Sequence, residues 1–286
     1  MSEQALPAGE PAFPSSVEIV ATLVRKELAQ ALRNRMTLMT LAISTIAFTL
    51  LPLIIAYGLG SAGPLQNINK RAIDPQQLEL IGRAFPQLAG LAPSDQVQAL
   101  LLSGMQSLFL LIPLMIPMII AVYSVIGEKQ NRSLEALLAT PITTAELLAG
   151  KCLAAALPGI ASGWLSYTLF AILAWPATQG PVFDSVLVRP GWLLALLLLT
   201  PGAAFLAVTL GLIVSSRATD PQAAQQIAGV VVLPVVGLMI GQMVGVVQLG
   251  TAVVLIAAAV LFAIDAALLA VAVRLFQRET ILTRWK

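Results

Sequence analysis

Six apolar runs, each about 20 residues long, constrain this chain more than any other feature. They fall at about 37–59, 105–126, 152–175, 191–214, 227–247 and 251–273. A run of that length is twice what a membrane β-strand needs and matches a helix crossing about 30 Å of hydrocarbon. Inside lipid every backbone N–H and C=O must be satisfied within its own segment, which a helix does and an open strand does not. The expected fold is therefore an all-α membrane protein with six transmembrane helices. Composition agrees: only 10% of the residues are charged, against about 25% in soluble domains.

The polar segments between these runs set the topology. Twelve basic residues fall on one side: Arg25, Lys26, Arg33, Arg35, Lys129, Arg132, Lys151, Arg217, Arg274, Arg278, Arg284 and Lys286. Four, Lys70, Arg71, Arg83 and Arg189, fall on the other. The positive-inside rule then puts the N- and C-termini and the 127–151 loop in the cytoplasm, and the 60–104 and 176–190 segments outside. Within 60–104, helical runs are expected near 76–85 and 96–102. A tight turn at 248–250 joins the last two spans.

Residues 1–14 are polar and Pro-rich. They read as a disordered tail without the basic start and apolar core of a signal peptide. Ser15 and Glu18 have capping-box spacing. After them Val17, Val20, Ala21, Val24, Leu28, Ala31 and Leu32 form an apolar stripe, with Glu18, Arg25, Lys26, Gln30 and Arg33 opposite. Residues 15–35 are thus expected as an amphipathic N-terminal helix lying in the membrane interface. Residues 36–286 form the six-span domain.

The loop from Gly127 to Lys151, GEKQNRSLEALLATPITTAELLAGK, carries more helix grammar than a connector needs. Leu134, Leu137 and Leu138 recur at i, i+3 and i+4, so Asn131–Ala139 reads as a short amphipathic helix. Pro141 stops it. Thr143 and Glu146 have the spacing of a second capping box, which starts the helix of the third span.

Polar residues inside the spans are few. Thr37, Thr40, Ser44, Thr45 and Thr49 share about half the circumference of the first span, a face that suits either helix packing or the lining of a pathway, for which Thr40, Ser44 and Thr45 are the candidates. Gly237, Gly241 and Gly245, and likewise Gly159 and Gly163, repeat at small-xxx-small spacing, which suits close helix approach. Pro52, Pro113, Pro117, Pro158, Pro201 and Pro234 are expected to kink five of the spans. Asp265 is the acid deepest in an apolar run, about 13 Å along the helix from Arg274. An intramembrane carboxylate is a functional candidate. It suits a neutral or water-contacting acid, a partner for a basic group such as Arg217, or a pathway or ion site.

These residues resemble the permease subunit of type-2 ATP-binding-cassette transporters. That family has six spans, cytoplasmic ends and an amphipathic entry helix. Its loop after the second span reads acid, then Arg-Thr-Leu-Glu-x-Leu-Leu-x-Thr-Pro-(Ile/Val), then Glu-Leu-Leu-x-Gly-Lys. Here Glu128, Arg132, Leu134, Glu135, Leu137, Leu138, Thr140, Pro141 and Ile142 match, followed by Glu146, Leu147, Leu148, Gly150 and Lys151. Ser133 replaces the Thr. The resemblance implies that the loop holds a coupling helix docking on a cytoplasmic ATPase subunit. The contacts would come from Glu128, Arg132, Leu134, Glu135, Leu137, Leu138, Thr140, Pro141, Glu146 and Lys151. It further implies two ATPase copies carrying the ATP and Mg, a second permease subunit (the same chain or another), and alternating access, mostly for export.

Other classes have less material. The chain has no His and one Cys, which removes Ser-His-Asp hydrolysis, His-based metal sites and disulfides. No G-x-x-x-x-G-K-[ST] phosphate loop occurs, so no catalytic role, resident cofactor or metal is expected of the chain itself. Nothing points to nucleic acid. A secondary transporter or channel would rest on Asp265, without the repeat symmetry many such proteins show. A non-transporting membrane anchor or sensor of the same fold would look alike in sequence.

Overall fold

The computed structural model describes residues 15–59, 82–83, 85–88, 90–131, 142–178 and 180–276. The expected tail, the proposed coupling helix and most of the first external segment lie outside them. The described chain is helical throughout, and six stretches are long and apolar enough to cross a membrane. Helix α1 spans Ser16–Arg33 and α2 Arg35–Leu59. Then come α3 (Pro93–Gln106), α4 (Ile112–Gln130), α5 (Thr144–Ala174) and α6 (Pro190–Arg217). The last are α7 (Pro221–Ala228), α8 (Val232–Met243) and α9 (Thr251–Leu275).

Both capping boxes form. The Ser15 side chain accepts from the Glu18 N–H while Glu18 Oε2 accepts from the Ser15 N–H at 2.9 Å. Thr143 and Glu146 repeat the arrangement, with Thr143 N–H donating to Glu146 Oε2 at 2.9 Å. Each box satisfies donors that a helix start leaves orphaned.

The second and fourth spans are longer than their apolar runs, the fourth being extended by a π-helical turn at Phe183–Leu187, and the fifth starts earlier than its run and is interrupted. The second begins at Pro93, turns through a 3₁₀ segment at Ser107–Leu110 and resumes as α4. Hydropathy understates it because α3 carries Gln96, Gln98 and Gln106, all buried. Each donates its side-chain amide to a carbonyl: Gln96 Nε2 to Leu91 O at 3.0 Å, Gln98 Nε2 to Ala56 O at 2.8 Å and Gln106 Nε2 to Val186 O at 2.9 Å. The fifth span is α7, a 3₁₀ turn at Gly229–Val231, then α8. Pro113 and Pro234 sit in the first turn of α4 and α8 instead of kinking a continuous helix. A first-turn residue has no intrahelical acceptor for its N–H, so Pro is tolerated there. Pro52, Pro117, Pro158 and Pro201 do lie inside α2, α4, α5 and α6.

Helix α4 packs between α5 and α6, and α9 lies along α6. One core sits under the α3 end of the bundle, where Phe109, Tyr167, Phe170 and Trp192 pack with neighbouring ring centroids 5.2–6.3 Å apart. Two more lie on opposite sides of α4 and α6. The Gly159–Gly163 pair of α5 is used within the subunit. Pro117 of α4 lies directly over Gly159, where a Cβ would collide with its ring, and Pro113 Cδ is 3.4 Å from where a Cβ on Gly163 would be. Gly237 of α8, by contrast, faces open space. The 248–250 turn rests on α6 at Gly191, whose missing Cβ leaves room for the Leu249 carbonyl.

Candidate functional site

The two described ends of the 127–151 loop meet in a buried polar node. Glu128 lies in the last turn of α4, and Lys151 lies two turns into α5. Lys151 Nζ donates to Glu128 Oε1 at 2.7 Å and to Ser124 Oγ at 2.8 Å. A third acid comes from elsewhere: Glu27 of α1 places Oε1 3.5 Å from Lys151 Nζ, and its Oε2 accepts from Ser124 Oγ at 3.0 Å. The Lys151 and Glu27 side chains are only 4% and 10% exposed. An ammonium has three protons, and here each has an acceptor.

Gly150 explains why α1 comes this close. Leu23 of α1 lies over it, its Cβ 2.8 Å from where a Gly150 Cβ would be. The adjacent Gly and Lys thus divide the work: Gly150 admits the helix and Lys151 bonds it. The sequence reading missed Glu27 and Ser124. Glu27 carried only a weak signal, because at 100° per residue it lies about 20° beyond Val20, at the edge of the apolar stripe and between Val20 and Leu23. That stripe is itself rotated in the fold. Leu23 and Glu27 are buried, whereas Val17 is 78% exposed.

A second tie lies next to the first. Lys129 Nζ donates to the carbonyls of Ser215, Ser216 and Ala218 at 3.0, 2.8 and 3.1 Å. These are orphan acceptors at the C-terminal end of α6, where a cation is favoured by the helix dipole. Glu128 and Lys129 therefore bond in different directions from the same turn. Of the other loop residues named above, Glu146 caps α5, while Arg132, Leu134, Glu135, Leu137, Leu138, Thr140 and Pro141 lie outside the described residues.

Of the polar residues in α2, Ser44 Oγ bonds back to Thr40 O at 2.7 Å. The Thr45 carbonyl accepts from Ser166 Oγ of α5 at 3.0 Å, and Thr49 Oγ1 lies 2.8 Å from the same hydroxyl. The Thr45 and Thr49 bonds join α2 to α5, whereas the Ser44 bond stays within α2. Asp265 faces inward from α9 and is 7% exposed, and neither of its oxygens has a hydrogen-bond partner among the described residues. Arg217, offered above as its partner, is exposed instead.

Six long apolar helices and a buried polar node at the described ends of the 127–151 loop define a multi-pass membrane protein whose charged centre lies at the ends of its helices, away from their middles. Residues 21–258 match the model of a family described as ABC-2 family transporter protein. The chain belongs to that family and is a membrane component of such a transporter. No curated protein matches the chain.

Proposed function

We propose that this chain is the permease subunit of an ATP-driven exporter in the cell membrane, with both termini and the 127–151 loop in the cytoplasm. Two copies of a separate ATPase bind and hydrolyse Mg-ATP, and a second permease subunit completes the pathway. Leu134, Leu137 and Leu138 supply an apolar docking face, and Arg132 and Glu135 set its register on the ATPase. The chain itself catalyses nothing.

The observation that carries this reading is the Glu27–Ser124–Glu128–Lys151 node. It joins α1, the end of α4 and the start of α5 at the place where the loop leaves and re-enters the bundle. A displacement of the loop then moves three helices together, because separating any pair leaves a buried charge without its partner. ATP does work through this lever only if it favours one helix arrangement over the other. Few charges line the spans, which suits a hydrophobic or amphiphilic substrate.

Leu137→Asp tests the docking face. The variant is expected to insert and fold normally and to lose the ATPase on co-purification. Retention of the ATPase at wild-type levels would overturn the assignment of this face. Glu128→Gln is expected to keep the ATPase bound while substrate-stimulated hydrolysis falls.

A further inference from the structure

Beside the node, a cavity of about 110 Å³ opens between α1, α4 and α5, room for several waters at about 10–15 Å³ each. We propose that it binds the ammonium group of a cationic amphiphile. Its polar wall comes from Glu27 and Gln30 of α1 and from Asn34, which caps the end of that helix, and its apolar wall includes Ile120, Ala154 and Leu212. Tyr123, half exposed, stands among the lining residues.

The charge of the wall selects the ligand. Lys151 reaches the lining, but two of its donors make short bonds to Ser124 and Glu128 and the third faces Glu27 at 3.5 Å, so an incoming anion would have to compete with that carboxylate. Glu27 is the opposite case. Its two neighbouring cations stand off at 3.5 and 3.6 Å, longer than a good charge-assisted bond, and Lys26 is half in solvent. The carboxylate keeps acceptor capacity toward the cavity. A carboxylate and an aromatic ring lining the same cavity can recognise an ammonium through hydrogen bonding and cation–π attraction. The apolar wall takes the hydrocarbon attached to that ammonium. An anionic headgroup lacking an ammonium would meet Glu27, and the described lining residues include no cation besides Lys151 to offset it. The site belongs to one subunit and needs neither the ATPase nor a second permease.

The test uses the full chain in maltoside micelles and the anisotropy of rhodamine 6G, a fluorescent lipophilic cation. Saturable binding is expected. Glu27→Gln should weaken it about tenfold, and Tyr123→Leu, which leaves the node intact, by about threefold. Displacement by a short-chain phosphatidylethanolamine would identify a lipid headgroup as the natural ligand. Binding that this lipid does not displace would identify a free amphiphilic cation. Either supports the site. Unchanged affinity in both variants, or equal binding of anionic fluorescein, would overturn it. If Glu27→Gln is unfolded by its elution profile, Tyr123→Leu decides alone. A negative result bears on the cavity and leaves ATPase coupling untouched.

Discussion

Lys151 and Asp265 are both ionisable residues buried in an apolar bundle, and their surroundings give them opposite consequences. Lys151 has three acceptors, so removing it leaves Glu27 and Glu128 buried against one another. Lys151→Met is expected to cost about 3–5 kcal/mol, read as a lower melting temperature in detergent. Neutralising all three members with apolar residues of similar volume should recover most of that loss. Only the single variant strands a charge. Asp265 has no hydrogen-bond partner among the described residues, and a buried polar group left so costs about 1–3 kcal/mol. Asp265→Leu is therefore expected to raise the melting temperature. A variant that melts higher but no longer moves substrate would show that Asp265 is kept for function. A lower melting temperature would mean that a partner outside the described residues holds it.

At the level of elements, the helices meet through small residues placed opposite rings and side chains that need room. The fit of Pro113 and Pro117 over Gly163 and Gly159 fixes the axial register of α4 on α5, and that register brings Glu128 level with Lys151. Gly159→Leu is expected to push α4 and α5 apart and destabilise the protein by about 1–3 kcal/mol. Gly237→Leu, facing open space within the subunit, should leave the stability of the isolated chain unchanged. Gly150→Leu acts on α1 in the same way. It should dislodge the interfacial helix, seen as faster proteolysis at Arg25 and Lys26, while the spans stay intact. Most of these elements were legible in advance. Both capping boxes are local, three-residue patterns and form as read. The helix expected near 96–102 forms within α3, but its burial as part of the second span was not legible, because Gln96, Gln98 and Gln106 look exposed until the carbonyls they bond are known.

For the whole molecule, the proposed orientation rests on twelve basic residues against four, and labelling decides it. Cys152 is the one native cysteine and is buried, so a Cys152→Ser background allows single reporters. A cysteine at Ser16 is expected to react with an impermeant maleimide only from the cytoplasmic face, and one at Gln248 only from outside. The reverse pattern would invert the bundle and detach the 127–151 loop from any cytoplasmic ATPase.

The number of spans, the helical class and the exceptional loop follow from the order of residues alone. Hydrocarbon thickness and backbone hydrogen bonding leave a run of this length and apolarity one form to take. Helix caps follow too, since their partners are three residues apart. What needed the tertiary structure were the contacts between helices distant in sequence. Glu27 and Lys151 are 124 positions apart, and Lys129 bonds carbonyls 86–89 residues away. In sequence Glu128 and Lys151 resemble surface charges of a docking loop. Packing turns them inward, because the Gly150 gap lets α1 bring a second acid against the lysine and close the node over it.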